Sequence, residues 1–194
     1  RPDDHVILTS YSDRFAASWG RKARDTFREW ALPVFGLQPK LGQHATEDWG
    51  ILGHTGGMTT AGTAGTLTGR GANLLIIDDP IKDAQAAGSG LVRDNLWEWW
   101  LATSSTRLEP EGVVVVVQTH WHMDDLAGRL QQDAIDGGDH WLVVRMPALA
   151  VEDERWEIDG YGWERPAGAA LWPERWPEAV LRVREKQSAY WWAS

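Results

Sequence analysis

Two adjacent carboxylates, Asp78 and Asp79, follow four consecutive bulky apolar residues, Leu74-Leu75-Ile76-Ile77, and precede Pro80. A run that is apolar at every position predicts a strand buried on both faces, as in a parallel α/β sheet. Pro80 has no amide donor and stops that strand. Both acids are thereby delivered to the carboxyl end of a central strand, where open α/β sheets bind ligands. One carboxylate there can serve Mg²⁺, directly or through water. Its neighbour can orient or activate an attacking water. The competing account is a solvated Asp-Asp-Pro turn; the doubly apolar run before it favours the chemical one.

Three further groups carry chemistry. Gln118-Thr119 ends a second run, Val113 to Val117, whose five β-branched residues predict another fully buried strand. Arg70 stands between two glycines in Thr66-Leu67-Thr68-Gly69-Arg70-Gly71, where a planar, permanently charged fork can reach a phosphate; a surface arginine in a flexible loop is the alternative. His120-Trp121-His122-Met123-Asp124-Asp125 has a His-x-His-x-Asp pattern. It resembles the zinc motif of the metallo-β-lactamase fold, so a metal-dependent hydrolase is a second reading. That pattern continues with histidine where this chain has Asp125, and only His140 remains downstream. No Gly-x-x-x-x-Gly-Lys-Ser/Thr phosphate cradle occurs in these residues.

The elements that must position these groups are legible in the spacing. His5 to Ser10 reads as a short strand. Ser12 or Asp13 caps a helix to about Trp30, with Phe15, Trp19, Ala23, Phe27 and Trp30 at helical spacing. Residues 31–48 read as loop. Trp49–Leu52 and Met58–Ala61 read as a hairpin, and a Gly/Thr-rich loop, 62–71, leads into the Leu74 strand. Ile81 to Gly90 reads as loop, and Ser89 caps a helix from Leu91 to about Arg107. Pro110-Glu111-Gly112 reads as a turn before the Val113 strand. Asp124 or Asp125 caps a helix carrying Leu126, Leu130 and Ala134, stopped by Gly137-Gly138. Trp141 to Met146 reads as a further strand, residues 151–176 as irregular, and Glu178 to Trp192 as a final helix. The alternation of strands and helices implies an α/β fold with a mostly parallel sheet.

Composition narrows the class. The 194 residues are enough for one sizeable domain with a real core. A net charge of −9 argues against a broad basic surface that coats nucleic acid, but not against one local contact. The absence of cysteine excludes disulfides and thiolate metal sites. No secretory signal and no bilayer-length apolar run is visible. Fourteen tryptophans, including Trp156, Trp163, Trp172, Trp176, Trp191 and Trp192, read as packing rather than base stacking. The chain begins at Arg1-Pro2 and runs almost at once into a strand, which reads as a piece of a longer polypeptide.

Taken together, the stretches 69–83 (Gly-Arg-Gly-Ala-Asn-Leu-Leu-Ile-Ile-Asp-Asp-Pro-Ile-Lys-Asp) and 118–130 (Gln-Thr-His-Trp-His-Met-Asp-Asp-Leu-Ala-Gly-Arg-Leu) resemble the large terminase subunit of tailed bacteriophages. That family has "Gly-Arg-x-x-x-x-Leu-Ile-Ile-Asp-Asp-Pro", a Trp-rich helix, a strand and "Thr-Arg-Trp-His-x-x-Asp-Leu-x-Gly-Arg-Leu". Leu171-Trp172-Pro173-Glu174-Arg175-Trp176 and Tyr190-Trp191-Trp192 resemble the stretch where its ATPase domain ends. The resemblance implies a P-loop NTPase-like sheet of the Walker B type, incomplete at both ends. Residues 1–150 would be a partial ATPase core without its Walker A segment, and 151–194 would lead towards a nuclease domain. It implies an ATP-driven motor that packages double-stranded viral DNA, with ATP and Mg²⁺ as cofactors. Its partners would be portal protein, the small terminase subunit and further copies in a ring, in the bacterial host cytoplasm. Asp78 would be the Walker B acid serving Mg²⁺. Asp79, where many relatives have glutamate, would position the attacking water. Gln118 and Thr119 would form the coupling motif. Arg70 lies where some terminases place an arginine finger completing the neighbouring subunit's site. Lacking the Walker A loop, the fragment by itself is expected to be inactive; a non-catalytic prophage remnant or interaction module is a third reading.

Overall fold

A computed structural model describes residues 1–40, 47–63, 65, 67, 69 and 71–187. Strand β1, His5–Ser10, is followed at once by helix α1, Asp13–Phe35. Ser12 caps that helix by accepting from the Phe15 amide at 3.3 Å. The helix runs past Trp30 to Phe35 with Pro33 in its last turn, and Gly36 closes it at φ 69°. The Gly36 and Leu37 amides donate to Leu32 and Ala31 carbonyls at 3.0 and 3.2 Å.

Strands β2, Asp48–Gly50, and β3, Gly57–Gly62, form the expected antiparallel hairpin. Strand β4, Ala72–Asp78, is the apolar run that ends in the acid pair. Strand β5, Leu108–Val117, completes a five-stranded sheet of order β2-β3-β1-β4-β5. The pairs β1–β3, β1–β4 and β4–β5 are parallel. The fold is therefore α/β, with a mostly parallel mixed sheet and flanking helices. Alternation along the strands sorts the core. Leu8 and Met58 pack with Ala16 of α1 and with Trp49, and Val6, Phe27 and Ile76 close over them. On the opposite face Ile7, Thr9, Leu75 and Ile77 are buried, Leu75 and Ile77 completely. Each such aliphatic side chain contributes about 1.5–3 kcal/mol on burial.

Helix α2, Ala84–Gly88, occupies part of the expected 81–90 loop, because Asp83 accepts from the Ala86 amide at 2.9 Å and nucleates a turn. Helix α3, Gly90–Trp99, begins at the Ser89 cap, then widens into a π turn, Trp100–Ser104, and tightens into a 3-10 turn, Ser105–Arg107. Helix α4, Leu126–Ile135, starts at Asp125.

Strand β5 departs from expectation. It pairs with β4 alone among the described residues, and Val113, Val115 and Val117 are 56%, 41% and 53% exposed. Alternate side chains point to opposite faces of a sheet, and the face that carries Val113, Val115 and Val117 is left exposed. The expected turn at Pro110-Glu111-Gly112 lies inside β5 as an irregularity. Glu111 takes φ 68° and the register shifts between Ala72 and Leu74.

Two compact units divide the chain, Arg1–Gly137 and Gly138–Ser194. In the second, the expected strand at Trp141–Met146 is not formed. Leu142, Val144 and Met146 are exposed, and the stretch joins no strand ladder of the described residues; apolar content alone does not make a strand. Conversely, the stretch expected to be irregular holds a hairpin, β6, Glu154–Ile158, and β7, Tyr161–Arg165, with Trp156 opposite Trp163. Asp159-Gly160, at φ 51° and 83°, is the two-residue turn that suits the twist of its strands. Leu149, Ala170 and Leu181 form the core of this unit, the last from helix α5, Glu178–Gln187. No helix among the described residues is long and apolar enough to cross a membrane.

Candidate functional site at the carboxyl edge of the sheet

Parallel register lines up the strand ends. Gly62 of β3 and Asp78 of β4 both pair with Ser10 of β1, and Asp78 pairs with Val117 of β5. The acid pair thus stands at the carboxyl end of the sheet, between Ser10 and the Gln118-Thr119 segment. The two adjacent acids leave the strand differently. Asp78 completes β4 and is half-buried. Asp79 swings into the left-handed region, φ 41°. An aspartate tolerates that backbone better than a β-branched or long side chain, yet it is still strained.

Four bonds hold Asp79 there. Its amide donates to the Val117 carbonyl at 2.8 Å, and its carbonyl accepts from the Tyr11 amide at 3.2 Å. The Ser10 hydroxyl reaches the same carbonyl at 3.5 Å. The Asp79 Oδ1 accepts from the Thr119 amide at 3.1 Å. Strained backbone persists where its surroundings over-determine it, and such positions concentrate at functional sites. The Thr119 bond also joins the first acidic motif directly to the end of β5.

The Asp78 carboxyl titrates above its ordinary range. Burial is the larger cause and the adjacent Asp79 charge the second; a hydrogen bond from the Trp19 indole opposes both. A raised carboxylate pKa means that the folded state holds the proton more tightly than the unfolded chain. The penalty is absent in acid, below the unfolded value of 3.8, grows as pH rises from there to the folded value, and is complete above it. Asp78→Asn is accordingly expected to raise the Tm at pH 7 by about 2 °C or more. That gain should vanish near pH 3. A lower Tm at pH 7, measured by circular dichroism, would show that Asp78 stabilises the fold instead.

Gln118 is half-buried and Thr119 exposed, both beyond the last residue of β5. Arg70 lies outside the described residues, as do Thr66, Thr68 and Tyr190-Trp191-Trp192. Sequence reasoning missed three contributors to the site: Ser10, Tyr11 and Trp19. The polar end of β1, Thr9-Ser10-Tyr11, was a usable signal once β1 is placed beside β4. Trp19 gave none, because an indole at helical spacing reads as packing.

The His-x-His-x-Asp motif is occupied with local structure. Asp125, 1% exposed, caps α4 through the Gly128 amide at 3.1 Å and binds His120 Nδ1 at 2.9 Å. His122 Nδ1 accepts from the Asp124 amide at 2.9 Å. Asp124 takes Arg93 Nε at 3.1 Å and Arg129 Nη2 at 2.7 Å, and Arg129 also reaches Asp94 at 2.7 Å. Those guanidiniums, Arg129 foremost, hold the Asp124 carboxyl well below the usual carboxylate range and tie α3 to α4. Gly128 lets the 122–123 turn close over the helix start, where a Cβ would run into the Met123 carbonyl. Among the described residues no three His, Asp or Glu side chains are grouped to hold a metal ion. No protein-family model and no curated protein matches the chain.

Proposed function

We propose that these residues are part of the ATP-hydrolysing motor that packages double-stranded DNA, the large terminase subunit of a tailed phage, with a P-loop NTPase-like sheet. The observation that supports this reading is the Asp79–Thr119 bond at 3.1 Å. It links two motifs, forty positions apart, at one edge of a parallel sheet, as coupling hydrolysis to movement requires.

The donor set suits magnesium, a hard cation that takes one or two protein carboxylates and completes its shell with water and phosphate oxygens. Asp78 would hold it, and the charge strain between Asp78 and Asp79 is what a cation relieves. When bound, magnesium would neutralise phosphate charge. Asp79 keeps Oδ1 on the Thr119 amide, which leaves Oδ2 to orient a water as general base. Movement of Gln118-Thr119 would be felt at Asp79 through that bond, and Arg70 would complete the neighbouring subunit's site. The hydrogen-bonding edge of β5, at the end of the strand order, would take one more parallel strand carrying the phosphate cradle.

The test is ATP turnover by the full-length polypeptide, with and without double-stranded DNA. DNA-stimulated turnover that Asp78→Ala abolishes is the expected result. Full turnover in Asp78→Ala overturns the assignment. Stoichiometric zinc that is lost in His120→Ala and His122→Ala would favour the metal-dependent hydrolase instead.

A further inference from the structure

The Asp79 side chain is aimed by an amide that itself needs holding. The Thr119 N–H donates to Asp79 Oδ1 at 3.1 Å. Thr119 is exposed and lies beyond Val117, the last residue of β5, so neither burial nor the strand ladder fixes it. An exposed backbone outside a ladder samples many directions unless its neighbours are anchored. Here they are anchored on both sides. The Val117 carbonyl accepts from the Asp79 amide at 2.8 Å. On the other side, His120 Nδ1 donates to Asp125 Oδ2 at 2.9 Å.

Asp125 is a rigid post. It is 1% exposed, its Oδ1 accepts from the Gly128 amide at 3.1 Å, and its carbonyl accepts from the Arg129 amide at 2.9 Å. The preceding residue, Asp124, is clamped by Arg93 of α3 and Arg129 of α4. One oxygen of the Asp125 carboxylate thus caps α4 and the other grips His120. A cap alone does not call for this. Serine or asparagine would cap α4 about as well, without a desolvated charge. The second oxygen gains its meaning from what it holds, because the residue before His120 carries the amide that aims Asp79.

We infer that His120 is a positioning residue for Asp79: pinned to Asp125 at the start of α4, it holds the Thr119 amide against Asp79 Oδ1 and so fixes the direction of Oδ2. The consequence for turnover rests on the reading of Asp79 as the acid that orients water. The geometric link between α4 and Asp79 does not.

Two variants of the full-length polypeptide cut this link from opposite ends. His120→Ala removes the donor. Asp125→Ser removes the oxygen that grips His120 but keeps a good cap for α4. It leaves no buried charge orphaned, since His120 is 32% exposed at its side chain and can turn to water, so it serves if His120→Ala does not fold. In each variant, hydrogen exchange at the Thr119 amide, read at single-residue resolution by mass spectrometry, should speed up about tenfold while amides inside α4 keep their protection. ATP turnover should lose about tenfold in kcat with the nucleotide KM within about twofold, because Asp79 acts on the water and not on the bound nucleotide. Asparagine carries an amide N–H where histidine carries Nδ1, so His120→Asn should restore both slow exchange and kcat. Combining His120→Ala with Asp125→Ser should be no worse than either alone, since both break one link. Exchange needs no nucleotide, which separates the two readings: faster Thr119 exchange with full turnover in Asp78→Ala discards the hydrolysis reading and keeps the link. Unchanged Thr119 exchange in the folded variants overturns the inference, and so does unchanged kcat in them when Asp78→Ala is inactive.

Discussion

Asp79→Asn is expected to lower DNA-stimulated ATP turnover of the full-length polypeptide by about 100-fold or more, with its Tm nearly unchanged. The substitution separates charge from shape. Asparagine tolerates the left-handed backbone at φ 41° as well as aspartate does. Its amide oxygen can still accept from the Thr119 amide, now at 3.1 Å from Oδ1. The clamps on the backbone from Val117 and Tyr11 do not involve the side chain at all. What disappears is the carboxylate that, in the proposed function, would take a proton from water. The pre-steady-state signature should be retained nucleotide binding with slow chemistry, because the lost interaction matters only in the transition state. A folded Asp79→Asn protein with turnover within about twofold of wild type would remove Asp79 from the mechanism.

Arg165→Met is expected to destabilise the second unit by about 3 kcal/mol. Arg165 is 4% exposed and donates to both carboxylate oxygens of Glu154, at 2.9 and 2.7 Å. A third bond reaches the Pro147 carbonyl at 2.9 Å. Truncating the arginine leaves Glu154, only 14% exposed at its side chain, charged and without its partner. The cost arises from that orphaned carboxylate more than from the lost attraction, so a second substitution, Glu154→Met, should recover most of it. Hydrogen exchange reads this locally. Amides of β6 and β7 should lose protection in Arg165→Met and regain it in the double variant. If the double variant is as unstable as the sum of the two singles, the ion pair is not what holds this hairpin.

Both predictions concern features that the chain advertises unequally. Asp79 was visible because an apolar run must end where its carboxylates begin, and that logic is local. Arg165 carried no signal, since its partner Glu154 belongs to the facing strand of a hairpin that the Trp- and Glu-rich stretch did not suggest. The Asp159-Gly160 pair between Trp156 and Trp163 was the one cue available there.

Local chemistry in the sequence determined the capped starts of α1, α3 and α4, the hairpin of β2 and β3, and the ending of β4 in two acids. Each depends on neighbours within a few positions, where caps, turns and side-chain period act. Tertiary structure decided everything that depends on who stands beside whom. It made β5 an open edge although its composition matched a central strand. It left Trp141–Met146 outside the strand ladders of the described residues. It turned the His120–Asp125 motif into a cap and an ion-pair network. It also bent Asp79 onto Thr119, because strand register alone brings residues forty positions apart to one sheet edge.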